Sequence, residues 1–167
     1  MLHRIRPEFL AEQSALEAMI RAAFRGVTRD GGISWSEAHW HDFPEDFLSR
    51  EHARANDTEP SWEALVDSTT WKYDESIGGF SFLDPIGFRY YVAPAMLRCM
   101  RDRGGGFFRY SLEIDTTHRH ELIALINRYQ AQAIARFLRF MIAIDDDESW
   151  SRAYRKFWIR VDVGSPL

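Results

Sequence analysis

Cysteine is almost absent from this chain of 167 residues, Cys99 being the sole example. A single thiol excludes an internal disulfide framework and fits a reducing cytoplasm. Its neighbours Met96, Leu97 and Met100 mark Cys99 as a buried structural thiol, because reactive thiols sit in exposed, electropositive surroundings. Lysine is nearly as scarce: only Lys72 and Lys156 occur among 21 basic residues, a skew that reads as genomic base composition. Long apolar runs are missing too. No stretch is long enough to span a bilayer, and the opening MLHRIRPEFLAEQ lacks the apolar core of a signal peptide. A cytoplasmic protein with no membrane partner is expected.

The signatures of catalysis are also missing. Gly104, Gly105 and Gly106 are followed by Phe107 and Phe108, where a phosphate-binding Walker loop needs a lysine and a hydroxyl. No G-x-S-x-G elbow, H-E-x-x-H, C-x-x-C or calcium loop occurs. Acids pair up at Glu45 and Asp46, at Asp74 and Glu75, and at Asp145 to Asp147. In polar surroundings such clusters serve as solvated faces or helix starts; a glycosidase needs two carboxyls set across a cleft. No catalytic residue and no cofactor is therefore assigned, and a non-enzymatic role is favoured.

Histidine is the one ligand type present in patterns. His39 and His41 form one H-x-H pair, and His118 and His120 another, with Glu121 beside it. On a helix, residues two apart point in nearly opposite directions and cannot hold one ion; on a strand they can. Both pairs fall at or near helix starts, so solvated or capping histidines are the ordinary reading. His39, His41, His118, His120 and Glu121 are the candidate ligands of a second reading, a metal-dependent hydrolase with a His/carboxylate site.

What is present describes one folded domain over residues 1–167. Hydrophobic residues make up 46% and aromatics 14%, enough to bury a core at this length without metals or disulfides. The pattern predicts a mainly α, single-domain multi-helix bundle. Pro7 opens a first helix whose apolar positions include Phe9, Leu16, Ile20 and Phe24, and Gly26 stops it. Ser34 and Glu37 have capping-box spacing and start a short helix carrying Trp35 and Trp40, which Pro44 stops or redirects. Residues 49–58 are polar and exposed. Thr58 to Ser61 starts a helix bearing Trp62, Leu65 and Val66. Asp84 and Pro85 form an N-cap and first-turn pair, Pro94 begins a further helix, and Phe108, Tyr110, Leu112 and Ile114 alternate as one short strand or hairpin near 107–114. Thr116 or Thr117 caps a short helix through Leu125. Asn127 and Gln130 repeat the capping box before Ile134, Phe137, Leu138, Met141 and Ile142, one apolar stripe. The acids at Asp145 to Glu148 start a last helix carrying Trp150, Tyr154, Phe157 and Trp158.

The charge is uneven. Residues 1–83 carry 8 Lys and Arg against 15 Asp and Glu, whereas residues 84–167 carry 13 against 10. From Glu37 to Glu75 there are 11 acids and 3 bases, along with Trp35, Trp40, Phe43, Phe47, Trp62, Trp71 and Tyr73. Such a segment disfavours nucleic acid and favours a basic partner protein, with aromatics as anchors and acids as steering charges. The candidate partner-binding residues are Trp35, Trp40, Glu45, Asp46, Glu59, Trp62, Glu63 and Trp71. The function expected is protein binding, in its specific form an immunity- or antitoxin-like inhibitor that covers a basic toxin surface. A third reading is a homodimer that buries the aromatic surface against itself.

One run joins two prolines: Phe82-Leu83-Asp84-Pro85, then Tyr90-Tyr91-Val92-Ala93-Pro94-Ala95. With a glutamine-headed helix from Gln130 to Phe137 and Leu138, and the late pair Phe157 and Trp158, it resembles an uncharacterised family of small bacterial proteins. The family's segment more often reads F-L-x-P…Y-Y-x-P-A, one residue shorter between tyrosines and proline. The resemblance, over residues 80–158, implies a domain of unknown function and supplies no catalytic residues. By helical spacing the two tyrosines lock a helix–helix corner and Arg89 points away from it.

Overall fold

The computed structural model describes residues 7–43, 46–74, 79–114 and 120–162. Among them no strand occurs, and the architecture is mainly α. Helix α1 spans Pro7–Ala23, α2 Trp35–His39, α3 Phe47–Asn56 and α4 Trp62–Val66. The long α5 runs over Pro85–Asp102 and is followed by the single-turn α6, Phe108–Ser111. Helix α7 spans Arg128–Ile144, α8 Glu148–Ala153 and α9 Ile159–Asp162, the last two joined by a π-helical turn over Tyr154–Trp158. Short 3₁₀ turns cover Trp40–Asp42, Gly79–Ser81 and Glu121–Ile123. No helix among the described residues is long and apolar enough to cross a membrane.

Several helix starts follow from local chemistry. The Ser34 hydroxyl accepts the Glu37 amide while the Glu37 carboxylate accepts the Ser34 amide, so two otherwise orphaned donors are satisfied at the head of α2. Asn127 and Gln130 do the same for α7, at 3.0 and 3.1 Å. Asp84 caps α5 through the Gly87 amide at 2.8 Å, with Pro85 in the first turn.

Helix α5 is the centre of the fold. From Gly87 to Met100 it is buried nearly all round, only Arg89 and Arg98 being half-buried, as expected of a helix without a solvent face. It packs on α1, α4 and α7, while α7 also takes α1, α8 and α9. Tyr91, Phe88, Met96, Phe108, Phe137 and Trp150 meet in the resulting core. Arg98 closes the loop after α4 by donating to the carbonyls of Ser68 and Trp71 at 2.7 and 2.8 Å.

Three expectations are corrected. Pro94 does not begin a helix; it lies inside α5. The ring removes the N–H that would bond the Tyr90 carbonyl, a cost of about 3 kcal/mol in an exposed helix. Here burial on every side outweighs it, and the tyrosines occupy a continuous helix rather than a corner between two. Residues 107–114 do not form a strand or hairpin. Phe108 and Leu112 are fully buried at i and i+4 while Phe107 and Tyr110 are exposed, so what reads as alternation is one helical turn, α6. The polar stretch 49–58 is mostly exposed, as expected, and largely forms the helix α3, started by Asp46 through the Ser49 amide at 3.2 Å. Toward Leu125 only the 3₁₀ turn Glu121–Ile123 forms; Thr116, Thr117 and Pro44 lie outside the described residues.

Candidate functional site

Helix α3 turns its apolar residues outward. Phe47, Glu51 and Arg54 share one side by helical spacing, with Leu48, His52 and Ala55 next to it. All six are exposed, and Ala53 alone is buried. Phe47 is 61% exposed and Leu48 68%. The preceding turn adds Phe43, 46% exposed, against the half-buried Trp40 at 6.0 Å between ring centres. From Asp42 to Glu51 the chain carries four acids, Asp42, Glu45, Asp46 and Glu51, against one base, Arg50. Arg50 is itself committed to the buried Glu37 at 3.7 Å, as is Arg54 at 3.0 Å. In sequence, the exposed apolar residues therefore fall in an acid-rich stretch.

A cleft of about 550 Å³ opens beside the C-terminal end of α3. The loop Gly26–Gly31, Arg54, Glu59 to Ser61, Glu63 and Tyr90 line it. Arg29 spans its floor: Nη2 donates to the Asp57 carbonyl at 2.8 Å, Nε lies 3.4 Å from Glu59 Oε1, and the guanidinium carbon sits 5.9 Å from the Tyr90 ring centre. The Tyr91 hydroxyl donates to Glu59 Oε1 at 3.3 Å and accepts the Trp35 amide at 2.9 Å. Burial, and then the Glu59 charge, push the Tyr90 and Tyr91 hydroxyls above the ordinary phenol range, so both remain protonated donors. No hydrogen bond caps α4 through the Ser61 side chain. Arg29 pairs with Glu59, and Arg54 shares the Glu37 carboxylate with Arg50. The lining carries three carboxylates, Asp30, Glu59 and Glu63, against two guanidinium groups, and among the described residues Asp30 and Glu63 make no ion pair.

The sequence-assigned residues separate into three groups. Trp62 is 1% exposed and donates its indole N–H to the Phe24 carbonyl at 3.0 Å. Trp71 is buried, and Trp35 is half-buried among Trp71, Phe80 and Tyr91 at 5.1–5.3 Å. These three tryptophans stand in the core. Trp40 and Asp46 flank the exposed α3 surface, and Glu59 and Glu63 lie in the cleft. Glu45 lies outside the described residues.

The histidines do not converge. His41 stacks on Phe82 at 6.1 Å and His39 packs edge-on to Trp40 at 5.6 Å. His120 meets the edge of Phe157, and Glu121 begins the 3₁₀ turn; His118 lies outside the described residues. Among the described residues no group of three or more His, Cys, Asp or Glu side chains is placed to hold a metal ion. Cys99 is buried, and burial pushes its thiol well above the usual range. Leu48, Arg29, Arg54 and Tyr90 carry the site's geometry without having been assigned from sequence. A helical projection of residues 47–56 is the signal that finds Leu48 and Arg54. None marks Arg29 and Tyr90, which the fold alone brings together.

Residues 12–105 match a family of unknown function (DUF6714). That span holds most of α1 and all of α2 to α5, every residue lining the cleft and the exposed surface of α3; Gln130 to Leu138 and Phe157 with Trp158 fall beyond it. No curated protein and no solved structure matches.

Proposed function

The chain belongs to the family of unknown function DUF6714, and on that premise we propose that it acts by binding another protein rather than by catalysis. The observation that carries this reading is the outward placement of Phe43, Phe47 and Leu48 within a local excess of acids. Apolar anchors with an acidic surround suit a basic partner, the acids raising the encounter rate and the anchors holding the complex. The docking face is Trp40, Phe43, Phe47 and Leu48 with Asp46 and Glu51; Trp62 and Trp71 are buried and Trp35 half-buried, so none of the three serves as an anchor. In its specific form the protein is a bacterial, cytoplasmic, immunity- or antitoxin-like inhibitor of a toxin with a basic surface.

The test is capture of partners from the native host. Phe47→Ser with Leu48→Ser should abolish capture, and Asp46→Lys with Glu51→Lys should slow association most at low salt. Recovery of the same basic protein by all variants overturns the proposal. Sizing by light scattering decides the competing occupant of this face: a dimer that the Phe47 and Leu48 substitutions break apart would mean the surface is self-buried.

A further inference from the structure

The exposed side of α3 and the cleft form one continuous surface. Phe47 and Arg54 are seven residues apart and lie on the same side of the helix, about 10 Å along its axis. Arg54 is also part of the cleft wall, so the side that begins at Phe47 leads directly to Glu63, Tyr90 and the Gly26–Gly31 loop. An extended chain covers about 10 Å in three residues.

Resting on the protein-binding reading, we infer that the partner presents an apolar side chain to Phe47 and Leu48 and, three residues away, an arginine or lysine that enters the cleft. The charge of the lining selects this occupant. The lining holds three carboxylates, Asp30, Glu59 and Glu63, against the guanidinium groups of Arg29 and Arg54, and among the described residues Asp30 and Glu63 make no ion pair. An incoming anion meets a lining with an excess of carboxylates, whereas a cation meets complementary charge. The Glu59 carboxylate, held by Arg29 and Tyr91, gives the floor a fixed acceptor that needs no rearrangement. A cleft of about 550 Å³ admits a whole guanidinium side chain together with water.

The probes are an acetylated, amidated tetrapeptide of leucine, two serines and arginine, and its counterpart with neutral citrulline in place of arginine. Amide shifts in NMR spectra of the intact chain report where each binds. The arginine peptide should move the amides of Phe47 and Leu48 together with those of Arg29, Glu63 and Tyr90. The citrulline peptide should leave the cleft amides in place and bind about fivefold more weakly. Asp30→Asn with Glu63→Gln should reduce the arginine peptide to the citrulline level. Equal cleft shifts from both peptides, or none from either up to about 10 mM, overturn the inference. Should that happen while partner capture still depends on Phe47 and Leu48, the cleft assignment falls and the protein-binding reading stands. Cleft shifts that persist unchanged in Phe47→Ser with Leu48→Ser overturn the three-residue coupling.

Discussion

The Tyr91 hydroxyl and the Glu59 carboxylate meet at 3.3 Å, although 32 positions separate them in the chain. The same hydroxyl accepts the Trp35 amide at 2.9 Å. One buried oxygen on the central helix thus fixes both the start of α2 and the segment leading into α4. Tyr91→Phe removes the acceptor of a backbone N–H and a donor to a largely buried carboxylate. It should cost about 2 kcal/mol, because the groups left behind lose their partners in a poorly solvated place. Chemical denaturation measures this. A loss below about 0.5 kcal/mol would show that water replaces the hydroxyl.

Gly87 provides a case of two opposed effects. Alanine in a helix gains about 1 kcal/mol over glycine by propensity. A Cβ at residue 87 would, however, stand 2.6 Å from the Ile33 carbonyl oxygen and 3.1 Å from the capping Asp84 Oδ1. The first is backbone and cannot swing aside, so overpacking of about 1–3 kcal/mol outweighs the propensity gain. Gly87→Ala is expected to lower Tm, and a rise would mean that the 33–34 segment yields.

Surface and core aromatics of the acidic segment should respond oppositely. Phe47→Ser with Leu48→Ser removes exposed groups and should change stability by no more than about 0.5 kcal/mol while abolishing partner capture. Trp62→Ala removes a fully buried indole whose N–H holds the Phe24 carbonyl, a loss of about 3–5 kcal/mol. Thermal melts of both variants beside the capture assay separate an interaction defect from a folding defect.

Glu113 sets an acid-side limit. Burial acts to raise its carboxyl, but hydrogen bonds from Lys156 and Arg152 outweigh it and hold the group below the usual carboxylate range. The folded state therefore binds the proton less readily than the unfolded chain. The stabilisation is complete above the unfolded value of about 4.3 and is lost as pH falls through the folded one. Both cationic partners are largely exposed, so its size is under about 1 kcal/mol. Glu113→Gln should flatten the stability profile between about pH 5 and 3, and high salt should do the same to the parent chain.

Much of the fold was legible wherever three or four adjacent residues decide a structure by themselves. The capping boxes at Ser34 and Asn127 and the Asp84–Pro85 start are of that kind, as is the stripe from Ile134 to Met141. Pro94 was misread because its local rule is overridden by packing on every side of α5. The turn at 107–114 was misread because four residues of alternation do not distinguish a strand from one buried helical turn. The tryptophans were visible, but not which way they face: Trp62 lies inside, while Phe47, in the same acidic stretch, lies outside. The cleft joins residues from 26 to 90, and long-range closure of that sort leaves no local trace.

The π-helical turn at Tyr154–Trp158 changes how the C-terminal segment counts its residues. Trp150, Ala153, Trp158 and Val161 face the core, and the step from 153 to 158 is five rather than the four or three of an α-helix. The wider turn takes up one surplus residue and returns the helix to phase, so that Trp158 reaches the Leu112 carbonyl at 2.8 Å. Removing one residue from within the turn would leave a plain α-helix with the same tryptophans inward. Chain length here is adjustable by a single residue without repacking the interior, a tolerance that a deletion variant with an unaltered melting curve would display.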